Sequence, residues 1–376
     1  MIVRIEDLKK ICEIISKAMD VSKNDIITST LELKAEGGYL NVIVSNHEYY
    51  VNAHVDIHED VDFSATVIAS KFLALISKTT SDTVKFEVEG NSLIVTGNGR
   101  YPFPMVFDTD GKMLEIPEIS LGEVTQEFSI GSDILSSILK YNTKEIARRN
   151  PSEISNPLQE LYYIDDEGCI TFTLGACVNR FHLDKPVKIL LSQKVVRLFD
   201  LFKNESADFS LGHNLLSNGT MQTVIKLENK NVSIIAILPP DNITKVPADA
   251  IRSRAFADYK YSVNINRTPL FGAIERLLIV HPDNQDPKKK KRIAKLSFSD
   301  EFVTISTMDD MCTEKVYYDG SKALSIAGSY DAVMDLLDLK TAVERCDEQF
   351  VTFNFGDMQA FSVARGNIFS VIPEIR

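Results

Sequence analysis

Apolar positions along the chain alternate between two spacings, and the alternation repeats. RIEDLKKICEIISKAMD (4–20) places Leu8, Ile11, Cys12 and Ile15 on one helical face. Three strand-like runs follow, STLELKA, YLNVIVSN and YYVNAHVDI, with Gly37-Gly38 as a turn between the first two. ATVIASKFLALISKTTSD (65–82) then reads as a helix with Phe72, Leu73 and Ile76 on one face. TVKFEVEG and SLIVTGNG follow as a hairpin turning at Gly90-Asn91.

The order recurs twice. SIGSDILSSILKYNTKEIARR and LLSQKVVRLFDLFKNE predict helices, over about 132–149 and 192–203. Hairpins follow each, turning at Asp166-Glu167-Gly168 and at Glu228–Lys230. The third round runs NRTPLFGAIERLLIV (helix), AKLSFSDEFVTIST (hairpin), GSYDAVMDLLDLK (helix), then the strands QFVTFNFGD and AFSVAR. A period near one third of 376 residues predicts three similar α+β domains, 1–122, 123–253 and 254–376. The boundaries fall in PEISLGEVTQ (117–126) and ADAIRSRAFADY (248–259), which read as loop-like or charged.

Charge sharpens the pattern. The chain carries a formal net charge of −12, yet on five of six expected helices cations sit off the apolar face; on the sixth, Asp331, Asp335 and Asp338 outnumber Lys340. On the 132–149 helix, Lys140, Lys144 and Arg148 form a stripe opposite Ile134, Leu135, Ile138 and Leu139, with Arg149 beside it. Lys10 and Lys17, Lys71 and Lys78, Lys194 and Arg197, and Arg276 occupy comparable positions on other helices. QDPKKKKRIAK (285–295) adds Lys288, Lys289, Lys290, Lys291 and Arg292, read as a DNA-touching loop, a solvated loop or a nuclear address. Cations gathered on one surface of an acidic chain suit a phosphate backbone.

Other chemistry finds little support. The five cysteines are far apart, without a CxxC pair, which points to reduced thiols. GNGRYPF lacks the strand and helix context of a phosphate loop, and GxSxG, HExxH and DxDxDG do not occur. His47, His54 and His58 lie in strand-like sequence without a second ligand cluster, so neither metal nor cofactor is expected. No run approaches the length of a membrane span, and the N-terminus does not read as a signal peptide, so a cytoplasmic protein without enzymatic activity is expected.

Several stretches resemble the bacterial β-type sliding clamp, the processivity factor of the replicative DNA polymerase. They are VIASKFLALISKTTSDTVKFEVEGNSLIVTGNGRYPFP (67–104), TLGACVNRFHL (173–183), PPDNITKVP (239–247) and SVIPEIR (370–376). Arg180 matches the arginine of the clamps' Ala-Thr-Asp-Gly-His-Arg-Leu-like segment, and Pro373 the proline of their terminal strand. The resemblance implies a head-to-tail homodimeric ring, helices lining the hole and sheets outside, encircling duplex DNA without sequence readout. It also implies short-peptide partners, the polymerase and the clamp loader. Carried over by position, their pocket would be walled by Leu158, Ala176, Val178, Asn179, Arg180, Phe181, Pro240, Thr244, Val246, Tyr330, Met358, Ile372, Pro373, Glu374 and Ile375. The chain departs from the pattern at Ala176-Cys177-Val178-Asn179 and at its Glu-Ile-Arg end, which implies a divergent clamp and leaves a phage or virus origin open. The other readings are a multi-domain enzyme with an interdomain site and an interaction scaffold that never meets DNA.

Overall fold

The computed structural model describes residues 1–20, 25–57, 61–143, 158, 161–172, 175–202, 205–240, 245–281, 292–319, 329–356 and 360–375. Within them one motif recurs six times: a leading strand, a helix, and a three-stranded meander. The first is β1 (Ile2–Arg4), α1 (Ile5–Ala18), the short helix α2 (Ile26–Ser29), β2 (Thr30–Glu36), β3 (Tyr39–Ser45) and β4 (Tyr49–Asp56). The second is β5 (Phe63–Ile68), α3 (Ala69–Lys78), β6 (Thr83–Glu89), β7 (Ser92–Thr96) and β8 (Arg100–Pro104). The third is β9 (Glu123–Ile130), α4 (Ser132–Ser137, continued by a π turn Ile138–Asn142), β10 (Leu161–Asp165), β11 (Gly168–Phe172) and β12 (Ala176–Arg180).

The fourth is β13 (Lys188–Ser192), α5 (Gln193–Arg197, continued by a 3₁₀ turn Leu198–Phe202), β14 (Ala207–Leu215), β15 (Met221–Glu228) and β16 (Val232–Ile237). A helix outside the motif follows, α6 (Ala248–Ala255). The fifth is β17 (Tyr261–Asn266), α7 (Arg267–Val280), β18 (Ile293–Phe298), β19 (Phe302–Thr307) and β20 (Thr313–Tyr317). The sixth is β21 (Tyr330–Asp335), α8 (Leu336–Arg345), β22 (Phe350–Phe355), β23 (Ala360–Arg365) and β24 (Ile368–Pro373).

Leading strands are exchanged between neighbouring motifs. β1 pairs with β6 and β5 with β2; β9 with β14 and β13 with β10; β17 with β22 and β21 with β18. Each pair of motifs is thereby interlocked. Meanders also join end to end, β4 to β16 and β12 to β24, giving two eight-stranded antiparallel sheets. The remaining two sheets stay four-stranded, ending at β8 and β20.

Close packing divides the chain into two compact units. One is Met1–Leu135 with Arg197–Asp241, the other Ser136–Val196 with Asn242–Arg376. This division differs from the three-way one the period suggests, because each eight-stranded sheet is the core of one unit. In the first, α1 buries Leu8, Ile11, Cys12 and Ile15, as its spacing predicts. In the second, Phe298 stacks on Phe355 with centroids 4.1 Å apart, and Phe353 and Phe361 complete an aromatic core. At the β12–β24 join, a side chain on Gly175 would strike the Val371 carbonyl at 1.8 Å, so only glycine fits there.

Two sequence expectations need correction, and a third is met over its described residues with one irregular turn. GSYDAVMDLLDLK is not one helix: Tyr330–Asp335 is strand β21, burying Ala332 and Met334 on alternate positions, and α8 begins at Leu336. Asp335 caps it, accepting from the Leu337 N–H at 2.9 Å. The expected helix over 132–149 is α-helical from Ser132 to Ser137, passes through a π turn that ends at the fully buried Asn142, and is helical again at Thr143; its residues 144–149 lie outside the described residues. The boundary ADAIRSRAFADY holds helix α6 rather than a loop, and PEISLGEVTQ already enters β9 at Glu123.

Candidate nucleic-acid interface and partner recess

Helix amphipathicity fixes where the expected DNA-binding cations point. With Leu8, Ile11, Cys12 and Ile15 buried, α1 leaves Lys10 and Lys17 exposed. On α3, Phe72 and Ile76 are buried and Lys71 and Lys78 exposed. A groove of about 850 Å³ runs between the two helices, lined by Lys9, Cys12, Lys17, Ser70, Leu73 and Ser77 among others. Lys194 and Arg197 are exposed beside buried Val195 and Val196.

These cations differ in how far their charge is already answered. Lys10 lies 3.3 Å from Asp7. Lys17 lies 3.0 Å from Asp200 and 3.6 Å from Glu13, and its hydrogen bond to Asp200 holds its pKa above the ordinary value. Lys140 is ion-paired with Asp347 beyond the end of α8, and the Tyr141 hydroxyl donates to the same carboxylate at 3.2 Å. The hydrogen bond to Asp347 raises the Lys140 pKa, and the same bond lowers that of Asp347. Arg276 makes a two-pronged pair with Glu314, at 2.7 and 2.9 Å. Among the described residues, no ion pair engages Lys71, Lys78 or Arg197. Arg292 is half-buried. Lys144, Arg148, Arg149 and Lys288–Lys291 lie outside the described residues.

The expected partner pocket resolves into separate places. Ala176 and Val178 point from β12 into an apolar cluster with Ala248 and Ala255 of α6, Val371 and Ala360, edged by Leu158 and Val246. Both are buried, at 4% and 0% exposure, so α6 covers them and they wall no open pocket. Asn179 faces the other side of the strand at 1% exposure. Its amide donates to Ser137 Oγ at 3.0 Å and to Asn142 Oδ1 at 3.1 Å, which anchors the π turn. Ile372 is likewise buried, in the aromatic core of the last two motifs. Tyr330 belongs to the edge of that core, its hydroxyl donating to the Gly356 carbonyl at 3.0 Å. Pro373 pairs with Ala360, and Ile375 donates its N–H to the Val333 carbonyl at 2.8 Å; Glu374, between them, is half-buried. Pro240 belongs to the other compact unit, and Thr244 and Met358 lie outside the described residues.

Arg180 and Phe181 do line an open recess, of about 770 Å³, with Glu167, His182, Arg252 and Phe256. The Arg180 guanidinium lies over the Phe256 ring at 5.2 Å, and Phe256 meets Phe369 edge-on at 4.8 Å. Arg252 ties α6 to the β10–β11 turn. It pairs with buried Asp165 and, at 3.2 Å, with Glu167. Burial is the largest single influence and pulls its pKa down, but the hydrogen bond to Asp165 together with the charges of Asp165 and Glu167 leaves it raised. Sequence reading missed the recess floor because it missed α6. The helical i, i+4, i+7 spacing of Ala248, Arg252 and Ala255, its buried face, was its signal.

Groups with chemical reactivity are quiet. Burial pushes the Cys12 and Cys346 thiols up to about 12, so they stay neutral at pH 7. Among the described residues, no three His, Cys, Asp or Glu side chains are grouped to hold a metal ion.

No protein-family model and no curated protein matches the sequence. Solved structures do match over the full length. DNA polymerase III subunit beta from Pseudomonas aeruginosa superposes with a TM-score of 0.77 at 16% identity, covering 100% of this chain and 99% of that one. The DNA polymerase sliding clamp from Bacillus subtilis gives 0.73 at 15% identity, covering 100% and 98%. DNA polymerase III beta subunit from Thermotoga maritima gives 0.75 at 13% identity, with the same coverage. The chain therefore has the α+β DNA-clamp fold. No helix among the described residues is long and apolar enough to cross a membrane.

Proposed function

We propose that this chain is a sliding clamp, a processivity factor that encircles duplex DNA and tethers a replicative polymerase. The observation that carries the reading is the incomplete set of sheet joins. Six meanders share one topology; four are joined within the chain, and two end at β8 and β20. A second copy would satisfy both ends and close a homodimeric ring of six domains, three per chain at 1–122, 123–253 and 254–376. The interlocked pairs of motifs, β1–β8, β9–β16 and β17–β24, support those boundaries.

The helices carry the DNA surface. Exposed lysines there attract phosphates without reading bases, so the ring slides and topology holds it in place. The recess at Arg180, Phe181 and Phe256 is where a short partner peptide docks, with Arg180 and Arg252 favouring an acidic residue beside an apolar anchor. Clamp loader and polymerase are the expected partners, the protein itself performs no chemistry, and it works in the cytoplasm.

Retention on circular DNA tests this. The protein should stay on a nicked circle, run off when the circle is linearised, and show twice 42.1 kDa by light scattering. Equal retention on circle and linear DNA would refute topological binding.

A further inference from the structure

The two sheet joins share a topology but differ in the face they turn away from the motif helices. At the β12–β24 join that face carries a row that is apolar in every strand. Leu190, Tyr163, Ile170, Val178 and Phe369 stand opposite one another across β13, β10, β11, β12 and β24. At the β4–β16 join the matching strands line up Thr66, Glu32, Ile43, Asn52 and Ser233. An antiparallel sheet face left to solvent is polar, as the second row mostly is. The first row needs a cover.

Part of that cover is α6, which lies over β12, β23 and β24. It brings little apolar surface. Ala248 and Ala255 are buried, Ile251 is half-buried, and the other buried residue is Arg252. Against them the sheet sets Phe172, Ala176, Val178, Ala360 and Val371. The fastenings of α6 are largely polar: Arg252 pairs with Asp165 and Glu167, and the Ser362 hydroxyl donates to the Ala255 carbonyl at 3.1 Å. A buried ion pair sets register more than it adds stability. Eight residues are too few to persist as a helix without the face beneath, and Pro247 supplies no side-chain cap.

We infer that α6 is the resident occupant of a partner surface, and that a partner peptide binds by displacing it. The inference rests on the partner-peptide reading and moves the apolar anchor. The anchor goes to the sheet face under α6, and the recess at Arg180 and Phe256 is its way in. The displacing partner is a short amphipathic helix. It carries branched or aromatic residues where α6 has Ala248 and Ala255, because larger side chains bury more of the apolar face. It carries an arginine where α6 has Arg252, because Asp165 is otherwise left unpaired in the interior.

Thiol labelling tests whether α6 leaves the sheet. The background is Cys312→Ser, which removes the half-exposed native thiol. Val178→Cys lies under α6, and Val263→Cys lies in the inner core of the same sheet; the two valines are 0% and 2% exposed. Local release of α6 should let a maleimide reach the first site roughly tenfold or more faster than the second. Equal rates would mean that Val178 is uncovered only when the whole unit unfolds, and would overturn the inference. Fluorescent synthetic peptides test the occupant by anisotropy. One has the sequence of residues 246–257, VPADAIRSRAFA. The other has leucine at its two positions corresponding to Ala248 and Ala255. The leucine peptide should bind the unaltered protein roughly tenfold or more tighter than the first. Ala255→Glu, which cannot bury its carboxylate, should free the face and bind both peptides roughly tenfold or more tighter than the unaltered protein does. An Ala255→Glu variant that melts cooperatively yet binds neither peptide would overturn the inference. If that variant does not fold, the labelling rates and the leucine peptide decide on their own. Failure of these measurements in a protein retained on nicked circles leaves the ring standing without a displaceable α6. Success in a protein that slips off nicked circles upholds the displacement and brings down the ring.

Discussion

Replacing Lys71 and Lys78 with alanine should flatten the salt dependence of duplex binding far more than replacing Lys140 and Arg276. Each phosphate neutralised by a free cation releases counterions worth about 0.9 in the slope of log K against log salt, so losing both α3 lysines should cost about 1.8. Lys140 and Arg276 begin from a different state. Their charges are matched by Asp347 and Glu314. Swinging either cation onto a phosphate strands a carboxylate, which takes up a cation from solution, so the net release is near zero. Affinity alone separates the two pairs poorly, since a surface ion pair is worth only about 0–1 kcal/mol and yields readily. The slope separates them. Binding to a linear duplex should be followed by fluorescence anisotropy from about 50 to 200 mM salt, the range over which phosphate contacts dominate. Equal slopes for Lys71→Ala/Lys78→Ala and Lys140→Ala/Arg276→Ala would refute the claim that ion pairing removes a cation from the DNA surface.

Two predictions concern the scaffold. Arg252→Met should destabilise the protein by about 3–5 kcal/mol in denaturant unfolding, because it abandons Asp165 in the interior. The Asp165 and Arg252 side chains are 5% and 9% exposed. Asp165→Leu with Arg252→Met should recover much of the loss, and a single-variant cost under about 1 kcal/mol would show that α6 does not depend on the pair. Glu32 is buried, and burial holds its pKa above the ordinary 4.5, though its carboxylate accepts the Ile116 N–H at 2.9 Å. A carboxyl raised on folding stabilises below its unfolded pKa and loses that contribution as pH climbs through the folded value. Glu32→Gln should therefore be more stable than the parent at pH 7 and equal to it near pH 4. The opposite order in melts at the two pH values would show that the charged form is favoured.

The sequence made the meanders legible and hid the leading strands. TVKFEVEG alternates because Val84 and Phe86 are buried between exposed Thr83 and Lys85, while STLELKA and YLNVIVSN are marked as strands by their β-forming residues and the Gly37-Gly38 turn between them, though both are buried on two faces for part of their length. ATVIASKFLALISK does not alternate in its first part. Ala65, Thr66 and Val67 are all buried, and a strand covered on both faces runs apolar without a period, straight into the helix behind it. β13 before α5 vanishes for the same reason, whereas β21 does alternate but is short and runs straight into the apolar spacing of α8; with them goes the sixfold motif, leaving only its threefold shadow. At the site, exposure was readable and pairing was not. Helical spacing correctly turned Lys140 outward, but Asp347 lies 207 residues away. Nor does a residue type reveal which face of a strand it takes. Asn179 and Arg180 are neighbours in a segment that resembles a pocket motif, yet one holds the π turn and the other opens on solvent.

The last strands of the six meanders also differ in a way the topology explains. β4, β12, β16 and β24 are largely buried, and they form the two joins that covalent connection makes permanent. β8 reads RYPFP, with four of its five residues exposed. β20 reads TEKVY, with three of five exposed. A join within one chain forms once, during folding, and can bury an apolar strand. In the ring proposed above, a join between chains that opens to admit DNA could not leave such a strand bare each time, because an exposed apolar edge invites aggregation. Polar and proline-bearing edges solve that problem at the cost of ladder bonds. On this argument the closing joint would be the weakest sheet join of the proposed ring, and Pro102→Ser with Pro104→Ser should tighten dimerisation while slowing passage onto circular DNA. If that variant loads unassisted as fast as the unaltered protein, opening takes place somewhere other than the β8 edge.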